Sequence, residues 1–163
     1  MALAIEELDP KRHDRAGFDC GVEPLNRYLR TLATQHRSKG IATTFVLVDA
    51  AAPDVILGYY SLSAASLAFE RLTAADRTAL PSYPIPAVRI GRLATSATHR
   101  GQRLGELLLQ NAIKRTLSAR RTLGVFAVLV EAKDTAAEDF YRRYGFRLCD
   151  EHTRQLYLPL GRD

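Results

Sequence analysis

Two short stretches of this 163-residue sequence hold the residue types needed for a group-transfer reaction. The first is Arg100-Gly101-Gln102-Arg103-Leu104-Gly105, between an apolar segment and a leucine-rich one. A helix starting there presents N–H groups without intrahelical partners and the positive end of its dipole, which suits a diphosphate. Gly101 and Gly105 leave the backbone open to close approach. The same spacing also describes a plain turn with a glycine near a helix start, and it lacks both the Gly-Lys-Ser/Thr end of a Walker A loop and the Rossmann glycine pattern. The second stretch is Phe140-Tyr141-Arg142-Arg143-Tyr144-Gly145-Phe146. Phe140 and Tyr144, four apart, share a helix face with Ala136 and Ala137 and are expected to pack. Tyr141 is rotated away from them, so its phenol is expected to face a cleft and give a proton to a leaving thiolate. A tyrosine on a core edge is the alternative reading.

The elements that must position these stretches follow from periodicity. Leu3 to Leu8 reads as a short strand. Pro24 opens a helix in which Leu25, Tyr28, Leu29, Leu32 and Ala33 recur on one side, with Arg27, Arg30, Thr34 and Arg37 opposite, and Lys39-Gly40 stops it. Thr43 to Asp49 and Val55 to Leu62 read as a strand pair, antiparallel across Ala51-Ala52-Pro53-Asp54. Ala64 to Leu80 has room for a short helix. Pro81, Pro84 and Pro86 mark an irregular loop.

Val88 to Thr95 is the next strand, and its apolar parity changes between Ile90 and Leu93, which predicts a bulge beside Gly91. His99 to Gln102 then leads into a helix with Leu104, Leu107, Leu108, Ala112 and Ile113 on one side. Leu123 to Glu131 reads as a central strand covered on both faces. Thr135-Ala136-Ala137-Glu138 has capping-box spacing and opens a helix ending at Gly145. Phe146 to Leu148 and Gln155 to Leu160 close the order. The class is α+β, with a mixed sheet and one domain over 1–163.

Composition narrows the partners. The net charge of +5 favours an anionic one. No apolar run approaches the roughly 18 residues of a membrane span, and no signal peptide is read at the N-terminus. Cys20 and Cys149 are read as free buried thiols in a cytoplasmic protein, not as nucleophiles. His13, His36, His99 and His152 are expected at the surface. No metal-ligand spacing and no aromatic platform for single-stranded nucleic acid is evident.

In order and spacing, the two stretches resemble the GNAT superfamily of acetyltransferases. Arg100 matches the first position of that family's Arg/Gln-x-x-Gly-x-Gly/Ala loop and Gly105 the last, while Arg103 departs from the central glycine. Ala137, Phe140, Tyr141, Gly145 and Phe146 match the closing motif. Phe18-Asp19-Cys20-Gly21, Leu25-Asn26-Arg27-Tyr28-Leu29, Thr44-Phe45-Val46, Gly58-Tyr59-Tyr60-Ser61-Leu62, Pro84-Ile85-Pro86 and Arg92-Leu93-Ala94 extend the likeness to the GNAT toxins of bacterial toxin–antitoxin pairs.

This resemblance implies a mostly antiparallel sheet flanked by helices, with a splayed strand pair at the acetyl-coenzyme A site. It implies that Leu93, Ala94, Thr95 and Arg100, Gly101, Gln102, Arg103, Leu104, Gly105 hold the coenzyme. The Ala94 backbone would meet the oxyanion, and Tyr141 would act as the acid. The implied acceptor is the α-amino group of an aminoacyl-tRNA, with Arg27, Arg30, Arg77 and Arg92 as its contacts. The implied partners are a ribbon-helix-helix antitoxin and a second copy of the chain. Acetylation of a small-molecule or protein amine, and an inactive module that binds coenzyme or antitoxin, are the competing readings.

Overall fold

A computed structural model describes residues 1–149 and 153–161. The elements are β1 Leu3–Glu7, α1 Glu23–Arg27, a π-helical turn Tyr28–Leu32, α2 Ala33–Ser38, β2 Thr43–Asp49, β3 Gly58–Leu67, α3 Ala74–Arg77, β4 Ile85–Thr95, α4 Leu104–Ala119, β5 Ala127–Glu131, α5 Thr135–Arg143, β6 Arg147–Leu148 and β7 Gln155–Pro159. The class is mixed α+β, as the sequence implies. The strands form one sheet in the order β1-β2-β3-β4-β5-β7-β6. The β1–β2, β2–β3, β5–β7 and β6–β7 ladders are antiparallel and the β4–β5 ladder is parallel. Two compact units form, Met1–Ser63 with Gly91–Lys114, and Ala64–Ile90 with the residues from Arg115 onward.

The first unit is built around Phe18, Tyr28, Leu29, Ala33, Val46, Val48, Ile56, Tyr59 and Ala94. Tyr28, Leu29 and Ala33 face inward as expected, but Leu32 is 37% exposed. The π-helical turn is the reason. It spends about one extra residue per turn, so the inward row steps from Leu29 to Ala33 and rotates Leu32 out. Gly40, at φ +72, ends the helix, with Ile41 N–H bonded to the His36 carbonyl at 2.8 Å.

On α4, Leu104, Leu108, Leu109 and Ala112 are buried and Leu107 is 38% exposed, so Leu109 takes the place expected of Leu107. His13 is also buried, contrary to expectation. Its Nδ1 accepts the Asp9 N–H at 2.9 Å, which leaves Nε2 as the donor to Glu6 at 2.7 Å. His36 and His99 are half-buried, and His152 lies outside the described residues.

The second unit packs Leu67, Leu72, Ile85, Ala87, Ala127, Leu129, Cys149 and Tyr157, with Phe69 and Leu80 against them. Pro86 belongs to β4 and not to a loop. Its missing N–H costs nothing there, because its carbonyl accepts the Phe126 N–H at 2.9 Å and the β4–β5 ladder begins one residue later, at Ala87. The ladder runs unbroken from Ala87↔Ala127 to Ile90↔Val130. The bulge expected beside Gly91 falls beyond the last pair of this ladder, and the change of buried parity lies between Ala87 and Ile90.

The bounds of three elements also differ from expectation. β3 starts at Gly58 and runs on to Leu67, and β5 starts at Ala127. Asp134, not Thr135, caps α5, its carboxylate accepting the Ala137 N–H at 2.8 Å. All the described apolar residues before Ala127 in the expected strand are Leu123, Val125 and Phe126, and Leu123 is 57% exposed.

A polar knot fixes the β3–β4 linker. Asp76 accepts from Arg147 Nη1 at 2.5 and 2.6 Å, from Thr73 Oγ1 at 3.1 Å and from the Tyr157 hydroxyl. The Thr73 N–H in turn donates to the Tyr157 oxygen at 2.9 Å. Burial pushes the Asp76 carboxyl up, but the bonds from Arg147, Tyr157 and Thr73 outweigh it and hold it below the ordinary carboxylate range. A depressed carboxyl stabilises the fold above the unfolded value of about 3.9, and that contribution disappears as pH falls through the lower folded value. We expect Asp76→Asn to cost about 1–2 kcal/mol at pH 7 and to flatten the acid limb of stability against pH in denaturant titrations. An unchanged acid limb would show that Asp76 is not the group responsible.

Candidate functional site

β4 outlasts its partner. The parallel ladder stops at Ile90↔Val130, whereas β4 continues through Leu93, Ala94 and Thr95. Ala94 is buried and Leu93 and Thr95 are half-buried. The backbone there is packed tightly: a Cβ on Gly58 would lie 2.9 Å from the Ala94 carbonyl oxygen and 2.9 Å from Leu108 Cδ1. The Ser96 N–H donates to the Leu57 carbonyl at 2.8 Å, and the Ala97 N–H to the Asp19 carbonyl at 2.9 Å.

A short 3-10 turn, Ala97–His99, then leads to the loop. Gly101 has φ +85, and a Cβ there would meet nothing within 4 Å, so the loop faces open space. Gly101, Gln102 and Arg103 are exposed, Leu104 is buried, and Gly105 is half-buried in the first turn of α4. Arg103 is the one non-glycine residue with positive φ among the described residues, at +58. Its carbonyl accepts the Leu107 N–H at 3.2 Å, which makes it the cap of α4. A left-handed backbone at a non-glycine residue costs roughly 1–2 kcal/mol. The departure from glycine at this position therefore changes the side chain and keeps the glycine-like backbone.

The side chain of Arg100 turns to the protein. Its Nη2 donates to the Cys20 carbonyl at 2.9 Å. Gly21, at φ +84, makes room: a Cβ there would sit 2.9 Å from that same nitrogen. Around it, Asp19 Oδ1 accepts from the Gly21 N–H at 2.8 Å and from Asn26 Nδ2 at 3.0 Å, and Asn26 Oδ1 accepts the Cys20 N–H at 2.9 Å. The Gly21 N–H first, then Asn26, hold the Asp19 carboxyl below its usual range. Asp19, Asn26 and Gly58 are thus supports of the loop and strand end that periodicity could not reveal. Their only signal is their place in the motifs that begin at Phe18, Leu25 and Gly58.

Tyr141, in the second unit, is buried, whereas Phe140 and Tyr144 are half-buried and Ala136 is exposed. The burial of Tyr141 agrees with the alternative reading of a tyrosine on a core edge. Its ring lies 5.2 Å from Phe140 and 5.4 Å from Phe146, and Phe140 and Tyr144 pack at 5.2 Å as expected. Burial pushes the Tyr141 phenol up to about 12, so it is fully protonated at neutral pH. Burial also pushes the Cys149 thiol up to about 11, and a thiol so raised is a poor nucleophile.

The four arginines expected to meet nucleic acid differ. Arg27 is exposed. Arg30 pairs with Glu23 at 2.6 Å, as Arg37 does with Glu7 at 3.0 Å. Arg92 lies over the Tyr28 ring, 3.7 Å from its centroid. Arg77, in the second unit, is spent on the backbone carbonyls of Leu72 and Glu70.

Residues 42–148 match the family model of the acetyltransferase (GNAT) domain. The chain is 31% identical over 147 residues to the tRNA-acetylating toxin of Mycobacterium tuberculosis, spanning 90% of this chain and 85% of that protein. A tyrosine-to-phenylalanine mutant of KacT superposes with a TM-score of 0.91 at 30% identity, covering 98% of this chain and 95% of the other. AtaT complexed with acetyl-methionyl-tRNAfMet gives 0.88 at 33% identity, with 96% and 94% covered. A mutant AtaT bound to the C-terminus of the antitoxin AtaR and acetyl-CoA gives 0.78 at 33% identity, with 98% and 94% covered. On this sequence match and this strand–loop–helix, the chain belongs to the GNAT family of acetyltransferases.

Proposed function

We propose that this chain transfers the acetyl group of acetyl-CoA to the α-amino group of an aminoacyl-tRNA and so blocks translation. The observation that carries this reading is the near full-length likeness to a tRNA-acetylating toxin and to AtaT in complex with acetyl-methionyl-tRNAfMet. The residues present fit the coenzyme: an exposed loop with open space over Gly101 leads into a sixteen-residue helix. In this reading the N–H groups of Arg100, Gly101, Gln102, Arg103, Leu104 and Gly105 hold the pyrophosphate. Leu93, Ala94 and Thr95 line the pantetheine arm, the Ala94 backbone receives the oxyanion and Tyr141 attends the departing sulfur. An amino-acid ester has a weakly basic amine, much of it uncharged at neutral pH, so no dedicated base is assigned.

Arg27, Arg30 and Arg92 serve the tRNA phosphates in this proposal, and Arg77 is withdrawn to a structural role. Exposed ion pairs such as Arg30–Glu23 are weakly held and screened by solvent, so exchanging a carboxylate for a phosphate is cheap. A ribbon-helix-helix antitoxin, a homodimer, a cytoplasmic location and action of 1–163 as a single domain complete the proposal. The family match draws on residues of both compact units, which supports the last of these.

The test is incubation of the purified protein with labelled acetyl-CoA and, separately, charged tRNA, polyamines, aminoglycosides and peptides, followed by mass analysis. Label on the aminoacyl group alone is the expected result. Label only on another amine rejects the tRNA acceptor, and failure to bind acetyl-CoA rejects the enzyme. Arg103→Gly relieves the left-handed backbone and is expected to raise stability by about 1 kcal/mol. A guanidinium that also contacts phosphate would make KM for acetyl-CoA less sensitive to salt in the variant. Loss of stability in thermal melts would refute the strain at Arg103.

A further inference from the structure

The loop that leads into α4 carries two arginines, and the structure gives them opposite surroundings. Arg100 is tied to the protein. Its Nη2 donates to the Cys20 carbonyl at 2.9 Å, and three residues earlier the Ala97 N–H fastens the same segment to the Asp19 carbonyl at 2.9 Å. After the Gly21 N–H and Asn26, the Arg100 charge also helps to hold the Asp19 carboxyl below its usual range. Arg103 has none of this. It is exposed, and among the described residues its side chain makes no hydrogen bond, ion pair or ring contact. The acid of the same helical turn, Glu106, accepts instead from Gln110 Nε2 at 3.3 Å.

Arg103 also has the left-handed backbone, φ +58, that no other described non-glycine residue adopts. Glycine takes that conformation freely, so an arginine there needs a compensating contact from its side chain. Strained backbone of this kind clusters where a ligand is clamped. The ligand of this loop is acetyl-CoA, and its charges fall into two groups. The pyrophosphate suits the backbone N–H groups at the start of α4, which act only in direct contact. The 3′-phosphate on the ribose is a monoester with a charge of about −1.5 to −2 at neutral pH and three strong acceptor oxygens. A helix end equivalent to roughly half a charge cannot balance it. A guanidinium can, because its paired N–H groups match phosphate oxygens. Of the two in the loop, only that of Arg103 is without a partner among the described residues.

We propose that Arg103 recognises the 3′-phosphate of the coenzyme, whereas Arg100 positions the loop without touching phosphate. This rests on the assignment of the Arg100–Gly105 loop to the coenzyme and not on the identity of the acceptor amine. The test is calorimetric binding of acetyl-CoA and of acetyl-dephospho-CoA, which lacks only that phosphate. The proteins compared are the whole chain as wild type, Arg103→Asn, Arg103→Gly and Arg100→Ala, with thermal melts of each. Asparagine tolerates a left-handed backbone and glycine favours it, and neither carries a charge. Wild type is expected to bind acetyl-CoA about tenfold more tightly than the dephospho form, the scale of one charge-assisted contact. Arg103→Asn and Arg103→Gly are expected to bind acetyl-CoA about tenfold more weakly and the dephospho form within about twofold of wild type, so that the preference disappears. Both are expected to melt no lower than wild type. Arg100→Ala is expected to weaken both coenzymes by the same factor and to keep the preference.

A wild type that binds both coenzymes equally well overturns the 3′-phosphate contact and leaves the coenzyme reading standing. Arg103 variants that keep the preference overturn it too, whether they lose both coenzymes equally, which places the guanidinium on the pyrophosphate, or lose neither. Disappearance of the preference in Arg100→Ala moves the phosphate to Arg100 and again overturns it. A wild type that binds neither coenzyme overturns the coenzyme reading itself.

Discussion

Tyr141→Phe is expected to lower kcat for acetyl transfer by about a hundredfold or more, the scale lost with one preorganised donor to developing charge, while KM for acetyl-CoA changes less than threefold. The fold should survive. The substitution removes one oxygen, and no hydrogen bond to that oxygen is present among the described residues. The physical content lies in what the phenol does. With burial pushing it up to about 12, it is far less acidic than an ordinary thiol near 8.5. Complete proton transfer from Tyr141 to the departing thiolate is therefore uphill.

In the proposed mechanism the phenol would instead donate a hydrogen bond to the sulfur as the C–S bond breaks, and the surplus proton of the newly acylated amine would make up the balance. The N–C bond forms, the C–S bond breaks, the amine loses one proton and the sulfur gains one. Because the phenol stays protonated, Tyr141 should place no limb on the pH–rate profile below about pH 11. A variant retaining more than a third of wild-type kcat would remove Tyr141 from the chemistry.

Gly58→Ala is the second large effect. The added carbon falls 2.9 Å from the Ala94 carbonyl oxygen and 2.9 Å from Leu108 Cδ1, with the Thr95 Cα at 3.6 Å. Leu108 can turn aside, but a backbone carbonyl inside β4 cannot. Overpacking of this kind costs about 1–3 kcal/mol, and the strain is delivered to the peptide assigned to the oxyanion. We expect both a lower melting temperature and at least a tenfold fall in kcat, with the fall in kcat persisting at temperatures where the variant is fully folded. A variant that loses stability alone would mean that Gly58 serves packing and not the geometry of Ala94.

The sequence made some elements legible and left others dark for identifiable reasons. β2 was readable to the residue, Thr43–Asp49, because β-branched residues fill it and turn residues bound it. The loop at Arg100–Gly105 and the start of α4 were readable because glycine and leucine sit where a helix entry needs them. The π-helical turn was not, since one extra residue only shifts the phase and leaves Leu32 looking like a core residue. Pro86 misled because proline signals breakage, whereas a strand tolerates it where only the carbonyl is required. His13 and Tyr141 are buried among near neighbours, Asp9 and Glu6 for the one and Phe140 and Phe146 for the other, and single-residue spacing carries no trace of those contacts. The family resemblance supplied the catalytic assignments that local pattern alone left open.

The bond from Arg100 to the Cys20 carbonyl has a practical corollary. The family match begins at residue 42, which invites trimming the protein to that boundary. A protein so shortened would keep every residue of the loop and lose its brace: the carbonyl that Arg100 grips, the bend at Gly21 that admits it and the Asp19–Asn26 pair that holds the bend. The first forty residues are in this sense the outer wall of the Arg100–Gly105 loop, supplied from a distant stretch of sequence.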